Sequence, residues 1–209
     1  MSIETKIIDG KGQGNKVEIT DENAIFTQDT GLPPKQQEAI GAVYRQYLRN
    51  SAGSLDMRVD GSSTTQEFYI EADAEFDVYI GSLSFVIADA GAQLNTFGNL
   101  TALSTGCELL YQNNVGDIQI ADSLKSNFEF IRLCQGNPAF GNGTGAFRAN
   151  NVSGNSEGYI PVLDITDVFG LTWGIKLRKG TSDRIIMRIN DDTSGVDAFN
   201  CIAYGFTRR

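Results

Sequence analysis

The chain has 209 residues, 41% of them hydrophobic and 21% charged, a length and balance that suit one globular fold and exclude wholesale disorder. Its net charge of −9, with no Lys/Arg cluster longer than a pair, offers the phosphate backbone no electrostatic footprint, so nucleic acid is not an expected partner. Histidine is missing altogether, which removes Ser-His-Asp and Cys-His nucleophile arrangements, the H-E-x-x-H zinc motif and the commonest proton shuttle near neutral pH.

Residues 1–32 read as an N-terminal arm or a set of edge strands. A glycine-punctuated stretch, DGKGQGNK, leads into two short alternating runs, Lys16–Thr20 and Ala24–Gln28. The segment Met1–Lys11 lacks a continuous apolar run, and nowhere does the chain approach the ~20 apolar residues needed to cross a bilayer, so no membrane partner and synthesis in a cytoplasm are expected. From residue 33 to 209 a single domain is expected. It opens on an amphipathic helix over 35–49, where Ala39, Ile40, Val43, Tyr44, Tyr47 and Leu48 recur at i, i+3, i+4 behind Pro33 and Pro34.

From Leu55 the period changes to two. LDMRVDG, QEFYIEA and EFDVYIGSLSFVIADAG read as strands, and the nearly continuous apolar run Leu83–Ala88 reads as one buried on both faces. CELLYQ and DIQIA read as two more. Over Asp122–Cys134 a short helix is favoured, with Leu124, Phe128 and Ile131 at helical spacing behind a cap at Asp122 or Ser123. The Gly/Asn-rich stretch that follows, GNPAFGNGTGAFRANNVSGNSEG, is a long loop in which Phe140 and Phe147 are expected to dock rather than stay in water. YIPVLDI, LTWGIKLRKG, DRIIMRINDD and AFNCIAYGFT alternate again, with KLRKGTSDRIIMRI patterned as an antiparallel hairpin. No fixed-period repeat is present, which excludes solenoids and propellers. The expected fold is mainly β, a jelly-roll-like antiparallel sandwich with one N-terminal helix and a short second one.

Chemistry has few places to reside. Cys107, Cys134 and Cys201 are odd in number and lack C-x-x-C spacing, so they read as buried thiols rather than disulfides or zinc ligands. The acidic residues that gather are Asp164 and Asp167, and Asp183, Asp191 and Asp192. Ca²⁺ would need six to eight converging oxygens and glycosidase work a cleft with one raised carboxyl, so turn capping is the simpler reading. The glycine-spaced runs from Gly10 (GKGQG) and Gly141 (GNGTG) lack the strand-to-helix context and the Lys-Ser/Thr of a phosphate loop. Asn99, Asn142 and Asn151 open N-x-S/T triplets that mean little without a secretory signal. No catalytic, metal-binding or cofactor-binding residue is assigned, no cofactor is expected, and the chain is read as non-enzymatic.

The strings EFYIEADAEFDVYIGSLSFVIADAG, NPAFGNGTGAFRANNVSGNSEGYIPVLD and VDAFNCIAYGFTRR, between Leu55 and the C-terminus, resemble virion structural proteins of tailed bacteriophages, of the capsid-decoration, neck-collar or tail type. That resemblance implies a place in a virion assembled in a bacterial host. It also implies self-association into a homo-oligomer and contacts with other virion proteins of the capsid, neck or tail. It carries over no site residues. A second reading is a carbohydrate-binding module in which Tyr69, Tyr79, Tyr111 or Trp173 stacks on sugar faces. The same rings could instead pack the core, Trp173 foremost because Leu171 and Ile175 share its face.

Overall fold

The computed structural model describes residues 5–8, 14–19, 25–26, 43–134, 146–150 and 157–208, with only the backbone path described for the segments before residue 43 and for 146–150. Two compact units divide the chain, Met1–Ile40 and Gly41–Arg209. In the first, β1 (Thr5–Ile8), β2 (Gly14–Ile19) and β3 (Ile25–Phe26) form an antiparallel sheet in the order β1-β2-β3.

The second unit is mainly β and holds two antiparallel sheets. The larger has the order β4-β13-β6-β10-β9, from strands β4 (Val43–Tyr47), β6 (Asp77–Asp89), β9 (Ala146–Asn150), β10 (Glu157–Asp164) and β13 (Ala198–Arg208), with β11 (Ile175–Leu177) also pairing β6. The thirteen-residue β6 is its spine. One edge pairs with β13 from Asp77 to Ala88, and the other is shared by β11 at Val78–Ile80 and β10 at Ser82–Asp89. Of its near-continuous apolar run, Leu83, Phe85 and Ile87 are buried in the core, while Val86 and Ala88 on the opposite face are only partly covered, so the expected burial on both faces is incomplete. Where β13 shifts register at Tyr204/Gly205, a Cβ on residue 205 would stand 1.8 Å from the Tyr79 carbonyl oxygen, so only glycine fits the close approach.

The smaller sheet has the order β5-β12-β7-β8, from β5 (Gln66–Glu71), β7 (Cys107–Asn113), β8 (Gly116–Leu124) and β12 (Arg184–Ile189). Period-two alternation sends Phe68, Ile70, Leu109, Ile185, Met187 and Ile189 inward, where they join Val78, Ile80, Leu83, Phe85, Ile87 and Cys201 of the larger sheet in one hydrophobic core. Phe85, Phe97, Phe130 and Phe199 meet at its centre. Phe85–Phe130, Phe97–Phe199 and Phe130–Phe199 pack edge to face with centroids 5.4, 5.0 and 6.0 Å apart.

The short helix α1 (Asn127–Cys134) forms, but its cap differs from the expectation at Asp122 or Ser123, because β8 continues to Leu124. Ser126 caps it instead. Its Oγ accepts from the Glu129 amide (3.4 Å), while the Glu129 carboxylate accepts from the Lys125 amide, a near capping box in which the glutamate reaches one residue further back. Phe130, Ile131 and Cys134 face the core and Phe128 faces solvent. The second helix, α2 (Ile165–Phe169), starts at Asp164, whose carboxylate accepts from the Asp167 amide at 3.0 Å, and stops at Gly170 in the left-handed region.

Three other expectations are corrected. The helix over 35–49 does not extend through its C-terminal half: Val43–Tyr47 is strand β4, paired with Ile202–Phe206, and Arg49 bridges Tyr69. Residues 34–42 lie outside the described residues. β-branched and aromatic residues at 43, 44 and 47 satisfy strand packing as well as helical spacing, and the edge of β13 decides between them. The runs in KLRKGTSDRIIMRI make no hairpin, since β11 belongs to the larger sheet and β12 to the smaller. The arch between them is fixed by Asp183, whose fully buried carboxylate receives the Arg178 amide (3.0 Å), Nε (2.8 Å) and Nη2 (2.9 Å). LDMRVDG buries Met57 but forms no strand: it makes the isolated bridge Asp60–Asp192, and the Met57 amide donates to the Phe199 carbonyl at 2.9 Å.

Candidate functional site

The outer face of the smaller sheet carries a row of charge. Arg188 on β12 lies directly opposite Glu67 on β5 and Glu108 on β7, and its guanidinium donates to both, at 2.9 and 3.2 Å, with a longer reach of 3.4 Å to Asp117 on β8. Four residues back along β12, Arg184 pairs with Glu71 at 3.0 Å and lays its guanidinium over the Tyr69 ring, 4.5 Å from the centroid. Beneath these side chains Ile186 and Leu110 are buried although they point outward, so the apolar centre of the face is roofed.

Above this floor is an open groove of about 1100 Å³. Glu67, Tyr69, Glu108, Arg184 and Arg188 line its base, Asn50 and Ser51 one end, and the GSSTTQ segment 61–66 with Thr105 and Asn190 its rim. Each wall is held by local turns. The Asn50 carbonyl oxygen of the side chain accepts from the Ala52 and Ser54 amides (3.0 and 2.9 Å), and the Asp60 carboxylate from the Ser62 amide (3.0 Å). Thr65 donates to Asn190 at 3.0 Å. Gly61 is required where it is: a Cβ there would sit 2.4 Å from the Ile189 carbonyl oxygen at the end of β12.

The acidic residues singled out in the sequence do not converge. Asp164 caps α2, Asp183 locks the arch, Asp191 accepts from the Thr105 amide (2.7 Å) and the Gly106 amide (2.5 Å), and Asp192 accepts from the Ser194 amide (2.9 Å) and hydroxyl (2.6 Å). Asp191 therefore serves the groove as the anchor of its Thr105 rim. Among the described residues no group of three or more His, Cys, Asp or Glu is placed to hold a metal ion. Of Asp183, the Arg178 guanidinium bonded to it holds the carboxyl down at about 2. The three thiols are buried, and burial pushes Cys134 up to about 12 and Cys107 and Cys201 well above the ordinary thiol range.

The candidate aromatics separate into three environments. Tyr69 is in the groove. Tyr111 packs against the core with its hydroxyl donating to the Lys176 carbonyl at 3.2 Å. Tyr79 stacks on Phe206 (4.9 Å, 5°) on the outer face of the larger sheet, and Trp173 meets Phe206 edge-on at 5.9 Å. Trp173 is 41% exposed, so its expected place in the core is corrected; Phe169 and Leu171 beside it in sequence are exposed to a similar degree, and of that run only Ile175 is buried. The side chains of Phe140 and Phe147, and both glycine-spaced runs, lie outside the described residues or are described by backbone alone. Arg184, Arg188, Glu67 and Glu108 were not singled out by the sequence; the signal available was an arginine pair four apart on a strand, which puts both on one face. Among the described residues no helix is long and apolar enough to cross a membrane.

Set against protein-family models, curated protein sequences and solved structures, the chain has no significant match.

Proposed function

We propose that this chain is a non-enzymatic structural component of a tailed-bacteriophage virion. In this reading the second unit is a jelly-roll-like β-sandwich that works by self-association and by contact with neighbouring capsid, collar or tail proteins. The two sheets' contribution to one core supports the sandwich. The observation that carries the assembly role is apolar surface left in water. At the tip of the β7–β8 hairpin Val115 is 88% exposed and Ile118 on the outermost strand of its sheet is 52% exposed, while Phe169, Leu171 and Trp173 form a second set. Exposed apolar groups on an edge strand and a neighbouring turn are what a protein–protein contact would cover, and an edge strand left bare invites pairing.

Light scattering of the purified protein over a wide concentration range is expected to give a defined oligomer, and Val115→Asp with Ile118→Asp to reduce it toward the monomer. A strictly monomeric mass at every concentration, both alone and mixed with capsid or tail extracts, overturns the proposal. A second reading, carbohydrate recognition, is favoured by one feature: the polar groove with Tyr69 at its base.

A further inference from the structure

We infer that the groove over the smaller sheet binds a neutral, hydroxyl-rich chain, an oligosaccharide of several rings, with Tyr69 as the plate on which one sugar ring stacks. This rests on the second of the two readings above and assigns it a place. Charge excludes the alternatives first. The base holds two arginines and two glutamates, whose formal charges cancel, and each guanidinium is already ion-paired, Arg188 with Glu67 and Glu108 and Arg184 with Glu71. Arg184 Nε, which has no partner, is buried and out of reach. An anion therefore meets only cations already paired with carboxylates, and a polyanion also meets a chain of net charge −9.

An apolar ligand fares no better. Ile186 and Leu110, the aliphatic groups of this face, are roofed, and the rim is built of serine, threonine, asparagine and glutamine. Such hydroxyl and amide groups both donate and accept, the same dual character that each sugar hydroxyl presents. A peptide added as a further strand would need a bare edge at the base. There β12 is paired on both sides, and β5 meets β12 on one side and the Arg49 backbone on the other, at 3.0 and 2.8 Å. What remains apolar and planar is the Tyr69 ring, which Arg184 covers on one face at 4.5 Å, so a sugar must use the part of the ring that still lines the groove. At about 1100 Å³ the groove exceeds the roughly 300–1,000 Å³ of sites for a drug-sized ligand, which suits an extended chain rather than a single ring.

The test is calorimetric titration of the full chain with neutral tri- to hexasaccharides of the gluco, galacto, manno and N-acetylglucosamine series, alongside heparin fragments. At least one neutral series is expected to bind, and Tyr69→Ala to weaken it by about tenfold or more, equivalent to about 1.4 kcal/mol. Because Tyr69 is half-buried, Ser63→Trp provides a second variant: it fills the groove from an exposed loop without touching the sheet, and the same loss is expected. Trp173→Ala, on the other sheet, is expected to bind as the parent does. If sugar binds but ignores Tyr69→Ala and Ser63→Trp, the groove is not the site and only this inference falls. If no neutral series binds at millimolar concentration, the carbohydrate reading falls with it. Binding of heparin alone overturns the assignment of a neutral ligand.

Discussion

The two sheets of the second unit bury similar inner faces and display opposite outer ones. Inward, both offer Phe, Leu, Ile and Met to one core. Outward, the smaller sheet shows the Glu67–Arg188–Glu108 row and the Arg184–Tyr69 stack, whereas the larger shows Tyr79 stacked on Phe206 with Trp173 at its edge. The inner faces answer to folding, which needs only apolar area and volume. The outer faces are free of that demand, and under the two proposals above the charged row faces a hydrated ligand and the rings face another protein surface. Exposed cross-strand ion pairs contribute only about 0–1 kcal/mol each, so what the charged row adds to stability lies mainly in covering Ile186 and Leu110.

If the inner faces form a single cooperative core, damage at their meeting point should unfold both sheets together. Phe130 touches Phe85 and Phe199 of the larger sheet, and Phe97 besides, and is fully buried. Phe130→Ala is expected to destabilise the second unit by about 3–5 kcal/mol. Urea unfolding followed by both tyrosine/tryptophan fluorescence and far-ultraviolet dichroism should show one coincident transition, displaced to lower denaturant. Two separated transitions would mean that the sheets are stabilised independently and that the contrast between their faces is one between separate bodies.

The link between the sheets can be tested by pH. Asp183 is held at about 2 by Arg178, below the ordinary 3.8, so the folded state prefers the charged carboxylate more strongly than the unfolded chain does. A lowered acid contributes stability that is complete above the unfolded value and is lost as pH falls toward the folded one. The contribution is about 2 kcal/mol, present near neutrality and disappearing between about pH 4 and pH 2. Asp183→Asn should therefore be less stable than the parent by about that amount at pH 7, with most of the gap closed at pH 2, in denaturant titrations run at each pH. An unchanged gap at pH 2 would mean that the arch is held by shape and not by this charge.

How much of this was legible in the sequence follows the range of each interaction. Alternation within a strand is local, so Gln66–Glu71, Asp77–Asp89, Cys107–Asn113 and Ala198–Arg208 could be read directly, as could the helix that became Asn127–Cys134. Pairing is not local. Val43–Tyr47 turned to strand because β13, over 150 residues later, offers it an edge, and β11 and β12 parted to different sheets although six residues join them. The groove was hidden for the same reason: Arg188 is visible in the sequence, but its partners Glu67 and Glu108 are 121 and 80 residues away. Turn chemistry was readable, since Asp164 and Asp192 bond the backbone two or three residues on.

The smallest expected effect bears most directly on the difference between the outer faces. Trp173 is 41% exposed and meets Phe206 in a T-shaped pair, so Trp173→Ser should change unfolding free energy by about 1–2 kcal/mol, from the pair and the partly buried ring together. If this face meets another protein, the same substitution should shift the oligomer equilibrium measured by sedimentation well beyond its effect on folding, because a half-exposed ring contributes far more to a contact that buries it than to the fold that leaves it in water. A stability loss of several kcal/mol with an unaltered association constant would reverse the assignment. Trp173 would then belong with the inner faces, and the exposed rings of the larger sheet would be an extension of its core.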